Sequence, residues 1–206
     1  MTIDTSPAKP GLRERKKQQL REKIARAGLR LFAERGYDET TLADIAEAAD
    51  ISPRTIFAYY ESKEDILFCE EQGFHEELKQ KLEQRPPGVT TVDALREFIS
   101  SVPPPDEQTM LRKQILSHTP ALQAKVRARL GQLEPLLIAS TAKDLNAGTD
   151  DIRPYLLAAS MIAAFATLRD RLLEAGAGEL THEQAMATVD EVLEFMRGGL
   201  EALQRD

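Results

Sequence analysis

An all-α fold, with a small three-helix head and a larger helical body, follows from three features of this 206-residue sequence. Apolar residues recur at three- and four-residue spacings, as in Leu20, Ile24, Ala27 and Leu31, which places them on one helix face. Ser and Thr stand before acids or proline at several points, the chemistry of helix starts. No alternating strand pattern of useful length and no internal repeat interrupts this series.

Residues 1–11 are small and polar, with Pro7, Pro10 and Gly11, and read as a disordered tail. The first helix is expected from Leu12 to Glu34, and Gly36 follows where a left-handed cap costs glycine nothing. Thr41 caps a second helix, Leu42 to Ala49, whose inner stripe is Leu42, Ile45, Ala46 and Ala49. Asp50 sits where the chain must reverse, a place where Asp tolerates a left-handed backbone better than most residues. Ser52 before Pro53 starts a third helix, because Ser caps the free N–H groups and proline is tolerated at the first helical position. Ile56, Phe57 and Tyr60 then share one face. Ser62, with Glu64 and Asp65 in the first turn, starts a fourth helix running to about Gln84.

Pro86, Pro87 and Gly88 mark a tight connection. Helices are then expected over 91–102, 106–117, 120–146, 152–175 and 181–203. Pro135 removes a backbone donor and crowds the carbonyl of Gly131, so the third of these must kink or split. Gly176 and Gly178 separate the last two, and Thr181 with Gln184 forms a capping box. The head is thus 12–62 and the body 63–206.

Two short helices joined by a three-residue turn, behind a basic helix, make a helix-turn-helix at 41–60. The second of them exposes Pro53, Arg54, Thr55, Ala58 and Tyr59, and no acid occurs from Ser52 to Tyr60 in a chain with 34 of them. Such a surface enters a DNA major groove about 12 Å wide without adding negative charge. Net charge is −7, but residues 1–35 carry ten Lys and Arg against four acids, so the head end is cationic and the remainder strongly acidic. That asymmetry suits phosphate binding by one end while the body is repelled.

The run Leu31 to Tyr37, then Thr40 to Ala46, then Ser52 to Leu67 resembles the TetR family of bacterial regulators, a likeness covering roughly residues 12–70. The resemblance implies that Thr41 and Lys63 contact phosphates, with Lys16, Lys17 and Arg21 as further phosphate or minor-groove contacts. It places Pro53, Arg54, Thr55, Ala58 and Tyr59 against double-stranded DNA, with Arg54 gripping guanine through its fork. Two residues depart from the family pattern. Phe57 stands where Tyr is frequent, which leaves it a packing role, and Ala58 is small where a larger residue is usual. Tyr60 is read as core. The resemblance also implies a homodimer on a palindromic operator, released by a small-molecule inducer. The four residues Ser52 to Thr55, with the helical body, resemble those regulators of the family that answer to acyl-CoA-like ligands, which implies a small apolar or amphipathic, acyl-CoA-like effector. A protein partner in place of the small molecule is the alternative.

Operator specificity requires two half-sites and a symmetric pair of subunits. Val189, Val192, Leu193, Met196 and Leu200 form one stripe on the last helix and are the candidate dimer interface, and the helix before it is apolar on more than one face. Phe98, Met110, Leu111, Met161 and Phe165 are candidates for an apolar effector pocket, with Arg169 to meet an anion.

Other classes find little support. His75, His118 and His182 are dispersed without metal-ligand spacing, and no glycine-rich phosphate loop occurs, so neither an enzyme nor a metal or other cofactor is expected. The single Cys69 builds no disulfide and reads as a packing residue of a cytoplasmic protein. The most apolar window, Leu156 to Leu168, is too short for a bilayer, and no signal segment precedes the first helix. A membrane-surface role for the basic helix 12–34 is the rival reading, weakened by an apolar face without Trp.

Overall fold

The computed structural model describes residues 11–69, 71–174 and 181–204. The tail at 1–10 and the glycine break at 176–178 lie outside these residues. All regular elements among the described residues are helices, arranged as two compact units that divide between Cys69 and Glu70.

In the first unit, α1 spans Leu12–Arg35 and buries Ile24, Ala27 and Leu31 together with Leu29 and Phe32. Its first half carries no buried residue. At Gly36 the backbone turns to φ 93° and its N–H donates to the Phe32 carbonyl, a conformation that favours glycine. Helix α2, Leu42–Ala48, opens on a full capping box: the Thr41 hydroxyl accepts from the Asp44 N–H while the Asp44 carboxylate accepts from Thr41. Asp50 takes φ 52°, so the reversal is left-handed as its residue type allows. Helix α3, Pro53–Ile56, is capped by Ser52, and α4, Lys63–Leu67, by Ser62 in a second capping box with Asp65. Gly28 lets α1 approach its neighbours: a Cβ there would stand 2.8 Å from Ile66 Cγ2 and 3.4 Å from Ile45 Cδ1.

The expected helix 63–84 is two helices. Helix α4 stops at Leu67, and α5 runs Glu71–Glu83. Ile66, Leu67 and Phe68 are all buried in the first unit. The first compact unit extends to Cys69.

The second unit contains α5, α6 (Thr91–Ser101), α7 (Glu107–His118), α8 (Pro120–Gly131), α9 (Glu134–Asp144), α10 (Arg153–Glu174) and α11 (His182–Gln204). The expected helix 120–146 splits into α8 and α9, with Pro135 inside the first turn of α9, where its missing donor is harmless. Its core gathers Leu82, Val92, Leu95, Phe98, Leu137, Met161 and Leu193 from five of these helices. The connection at 86–88 is tied down by Arg85, whose guanidinium donates to the carbonyls of Val89 at 2.7 Å and Ser140 at 2.8 Å and pairs with buried Asp144. Asp144 also accepts from the Thr91 N–H at 2.8 Å. A buried ion pair holds when its remaining donors and acceptors are met in this way.

Four of the five residues expected at a dimer interface are spent on this core: Val189, Leu193, Met196 and Leu200 are buried within the subunit, and Val192 packs against them. An apolar stripe faces whatever lies nearest, and here α6 and α10 cover it. Among the described residues, the large apolar side chains exposed on α10 and α11 are Tyr155, Leu156 and Phe195, the last 71% exposed. Among the described residues no helix is long and apolar enough to cross a membrane.

Candidate nucleic-acid interface and effector region

The caps at Ser52 and Pro53 fix the phase of α3. Ile56 and Tyr60 are buried, so Pro53, Arg54, Phe57 and Ala58 are turned outward and exposed. Thr55 and Tyr59 are half-buried on the flank. The helix is only four residues long, and Phe57 to Tyr59 continue as a turn, with the Tyr60 N–H donating to the Ile56 carbonyl at 2.9 Å. Thr55 is occupied locally: its N–H donates to Ser52 Oγ at 3.1 Å and its hydroxyl lies 2.7 Å from the same atom.

Tyr60 is core, as its phase requires. Its hydroxyl donates to the Arg21 carbonyl at 3.1 Å, and the Arg21 guanidinium lies 5.3 Å from its ring centroid. Burial pushes the Tyr60 phenol up to about 12. Arg21 therefore braces α1 against the end of α3.

Beyond Arg21, the first half of α1 and the residues after α3 enclose an open groove of about 940 Å³. Arg13, Lys16 and Lys17, with Glu14 among them, line one wall, and Ala58 and Tyr59 line the other. This groove adjoins the outward face of α3, which brings Lys17, Ala58 and Tyr59 to one place.

Thr41 is exposed at the start of α2, with its hydroxyl engaged by Asp44. Hydrogen bonds from the Thr41 hydroxyl and N–H hold the Asp44 carboxyl below the usual carboxylate range. Lys63 is directed into the head. Its ammonium donates to the Tyr37 carbonyl at 2.7 Å and the Asp38 carbonyl at 3.2 Å, and sits 4.6 Å from the Tyr37 ring centroid. Two of its three donors are thus taken by the α1–α2 turn.

Phe57 was not among the expected contacts, and the packing role expected for it does not hold: it is 59% exposed. The available signal is its spacing, three residues after Arg54 and one after inward Ile56.

In the body, the six expected effector residues lie on α6, α7 and α10. Phe98 and Met161 are buried in the core, and Phe165 packs against it. Met110 and Leu111 are half-buried on α7. Arg169 pairs with Asp170 at 3.3 Å, and Asp170 also takes Arg127. A groove of about 400 Å³ between α5 and α6 is lined by Phe98, with Lys81 and Glu97 at its edge, and a second of about 390 Å³ surrounds the Arg85 turn. Met110, Leu111, Met161, Phe165 and Arg169 line neither of these two. Arg112, not expected at the site from its sequence context, is only 8% exposed on the inner face of α7. Its spacing to buried Ile115 and Leu116 is the signal for that placement.

Residues 24–68 match bacterial regulatory proteins of the tetR family, and residues 85–201 match the MftR C-terminal domain. The chain is 31% identical to the HTH-type transcriptional regulator TcmR of Streptomyces glaucescens over 169 residues, covering 75% of this chain and 74% of that protein. It is 27% identical over 143 residues to the putative mycofactocin biosynthesis transcriptional regulator MftR of Mycobacterium tuberculosis, covering 68% and 72%. In fold it resembles Thermus thermophilus FadR, a TetR family repressor whose crystal structure holds lauroyl-CoA, with a TM-score of 0.53, 23% identity, and coverage of 87% of this chain and 94% of that one. With both of its units matched and the head's helix-turn-helix in place, the chain belongs to the TetR family of bacterial transcriptional regulators.

Proposed function

We propose that this regulator is a ligand-responsive repressor that binds a palindromic operator as a homodimer and leaves it when a small-molecule inducer binds the body. The observation that carries the DNA half of this reading is the acid-free outward face of α3, with Arg54 exposed at its centre and a cationic groove beside it. Arg54 reads guanine bidentately, while Pro53, Thr55 and Ala58 fit the groove edge without repelling it. Tyr59, Lys17 and neighbouring Arg13 and Lys16 hold a stretch of phosphodiester backbone, and Thr41 meets a phosphate at the start of α2. Arg21 and Lys63 act as positioning residues, through Tyr60 and through the α1–α2 turn.

Dimerisation uses α10 and α11 through Tyr155, Leu156 and Phe195, the apolar side chains that the core leaves exposed. The effector is an amphipathic, acyl-CoA-like molecule. Support comes from the apolar core of the body, from Arg112 on the inner face of α7 as a cation for its charged end, and from the lauroyl-CoA in the FadR neighbour. Release is a population shift: the effector binds the form with low operator affinity better than the bound form. Titration of an operator duplex with and without saturating lauroyl-CoA tests this. A fall in operator affinity of roughly 5–150-fold is expected for such coupling. Equal affinities would overturn the acyl-CoA-like effector.

A further inference from the structure

We propose that Phe57 is a specificity-determining residue that reads the methyl group of a thymine next to the guanine gripped by Arg54. This rests on the DNA-binding reading of the α3 face and adds to it a base preference.

Three observations carry it. Phe57 keeps helical backbone angles, φ −67° and ψ −15°, so the phase set by Ser52 and Pro53 reaches it. It lies three residues after Arg54 and four after Pro53, which makes all three neighbours on one surface. Ile56 and Tyr60 take the inward positions, and the Phe57 ring is left 59% exposed among residues that bear no acid.

A phenyl ring neither donates to phosphate nor pairs with a base edge. The major-groove edge presents one apolar feature, the C5 methyl of thymine. Arg54 and Phe57 together therefore recognise a guanine with a thymine beside it. Ala58, one residue on, leaves the space that a ring of this size needs to lie along the groove floor.

The probe is a set of duplexes recovered by selection from a random library with the full-length protein, each thymine then replaced singly by deoxyuridine. The expected result is one thymine per half-site, adjacent to the guanine that depends on Arg54, at which loss of the methyl weakens binding about fourfold, the worth of one buried methyl. Phe57→Ala should bind the thymine and deoxyuridine duplexes equally, and Phe57→Leu should keep part of the difference. Because the ring is exposed, these variants should unfold at the wild-type temperature, which a thermal scan verifies. The proposal is overturned if no thymine is methyl-sensitive, or if Phe57→Ala retains the sensitivity. It is also overturned if Phe57→Tyr tightens binding to every duplex alike, which would put the ring at a phosphate. A wild-type protein that selects no sequence overturns the DNA-binding reading itself, and the two failures are thereby distinct.

Discussion

At Lys63 a surface-looking cation is built into the head. Its donors hold the carbonyls of Tyr37 and Asp38, which close the turn between α1 and α2 and so set where the helix-turn-helix begins. Lys63→Met keeps the stem and removes both bonds. It should lower stability by about 1–2 kcal/mol, the range for partly exposed bonds to a charged group, seen as a lower midpoint in thermal or urea unfolding. Unchanged stability with reduced operator affinity would return Lys63 to the phosphate role that the sequence suggests. The sequence cannot show this inward placement, because the acceptors are backbone carbonyls 25 and 26 residues away and have no side-chain signature. Phe57 is a different kind of miss. Adjacent residues on a helix point about 100° apart, and on this short helix Ile56 takes the inward position while Phe57 is left exposed.

Among the elements, the starts are the most legible part of the chain. Thr41 with Asp44, Ser52 with Pro53, and Ser62 with Asp65 each announce a helix through chemistry contained within four residues. Helix ends set by tertiary packing are not legible in the same way. The stop of α4 at Leu67 carries neither proline nor glycine, and the residues around it, Ile66, Leu67 and Phe68, are buried in the head. Close approach is equally silent in sequence. Gly28 looks like a weak point in a long helix, yet it is where α1 meets Ile66 and Ile45. Gly28→Ala gains helix propensity worth about 1 kcal/mol. It also drives a methyl to 2.8 Å from Ile66 Cγ2, on a β-branched side chain with little freedom to turn away. Overpacking of this kind costs about 1–3 kcal/mol, so the net effect should be a destabilised head, measured as a lower unfolding midpoint. A stabilised variant would mean that α1 and α4 are less tightly apposed than this geometry requires.

For the whole molecule, the sequence shows the division into a cationic head and an acidic body, and the all-helical class, because charge and periodicity are distributed along the chain. The stripe on α11 is legible as apolar, but its partner is not. A single period of 3.6 cannot distinguish a face turned to its own subunit from one turned to another, and only the burial of Val189, Leu193, Met196 and Leu200 beside exposed Phe195 separates them. The effector residues are legible least, since Met and Phe at helical spacing look the same in a core and in a pocket wall. On the proposed function the outward face of α3 reads DNA, with Arg54 as its base contact. Selection of duplexes from a random library with the wild-type protein and with Arg54→Ala tests it most directly. The wild type should enrich an inverted repeat containing a fixed guanine in each half, and Arg54→Ala should lose preference at that guanine while still binding duplex DNA. Recovery of no common sequence by the wild type, or of the same guanine by Arg54→Ala, would contradict it.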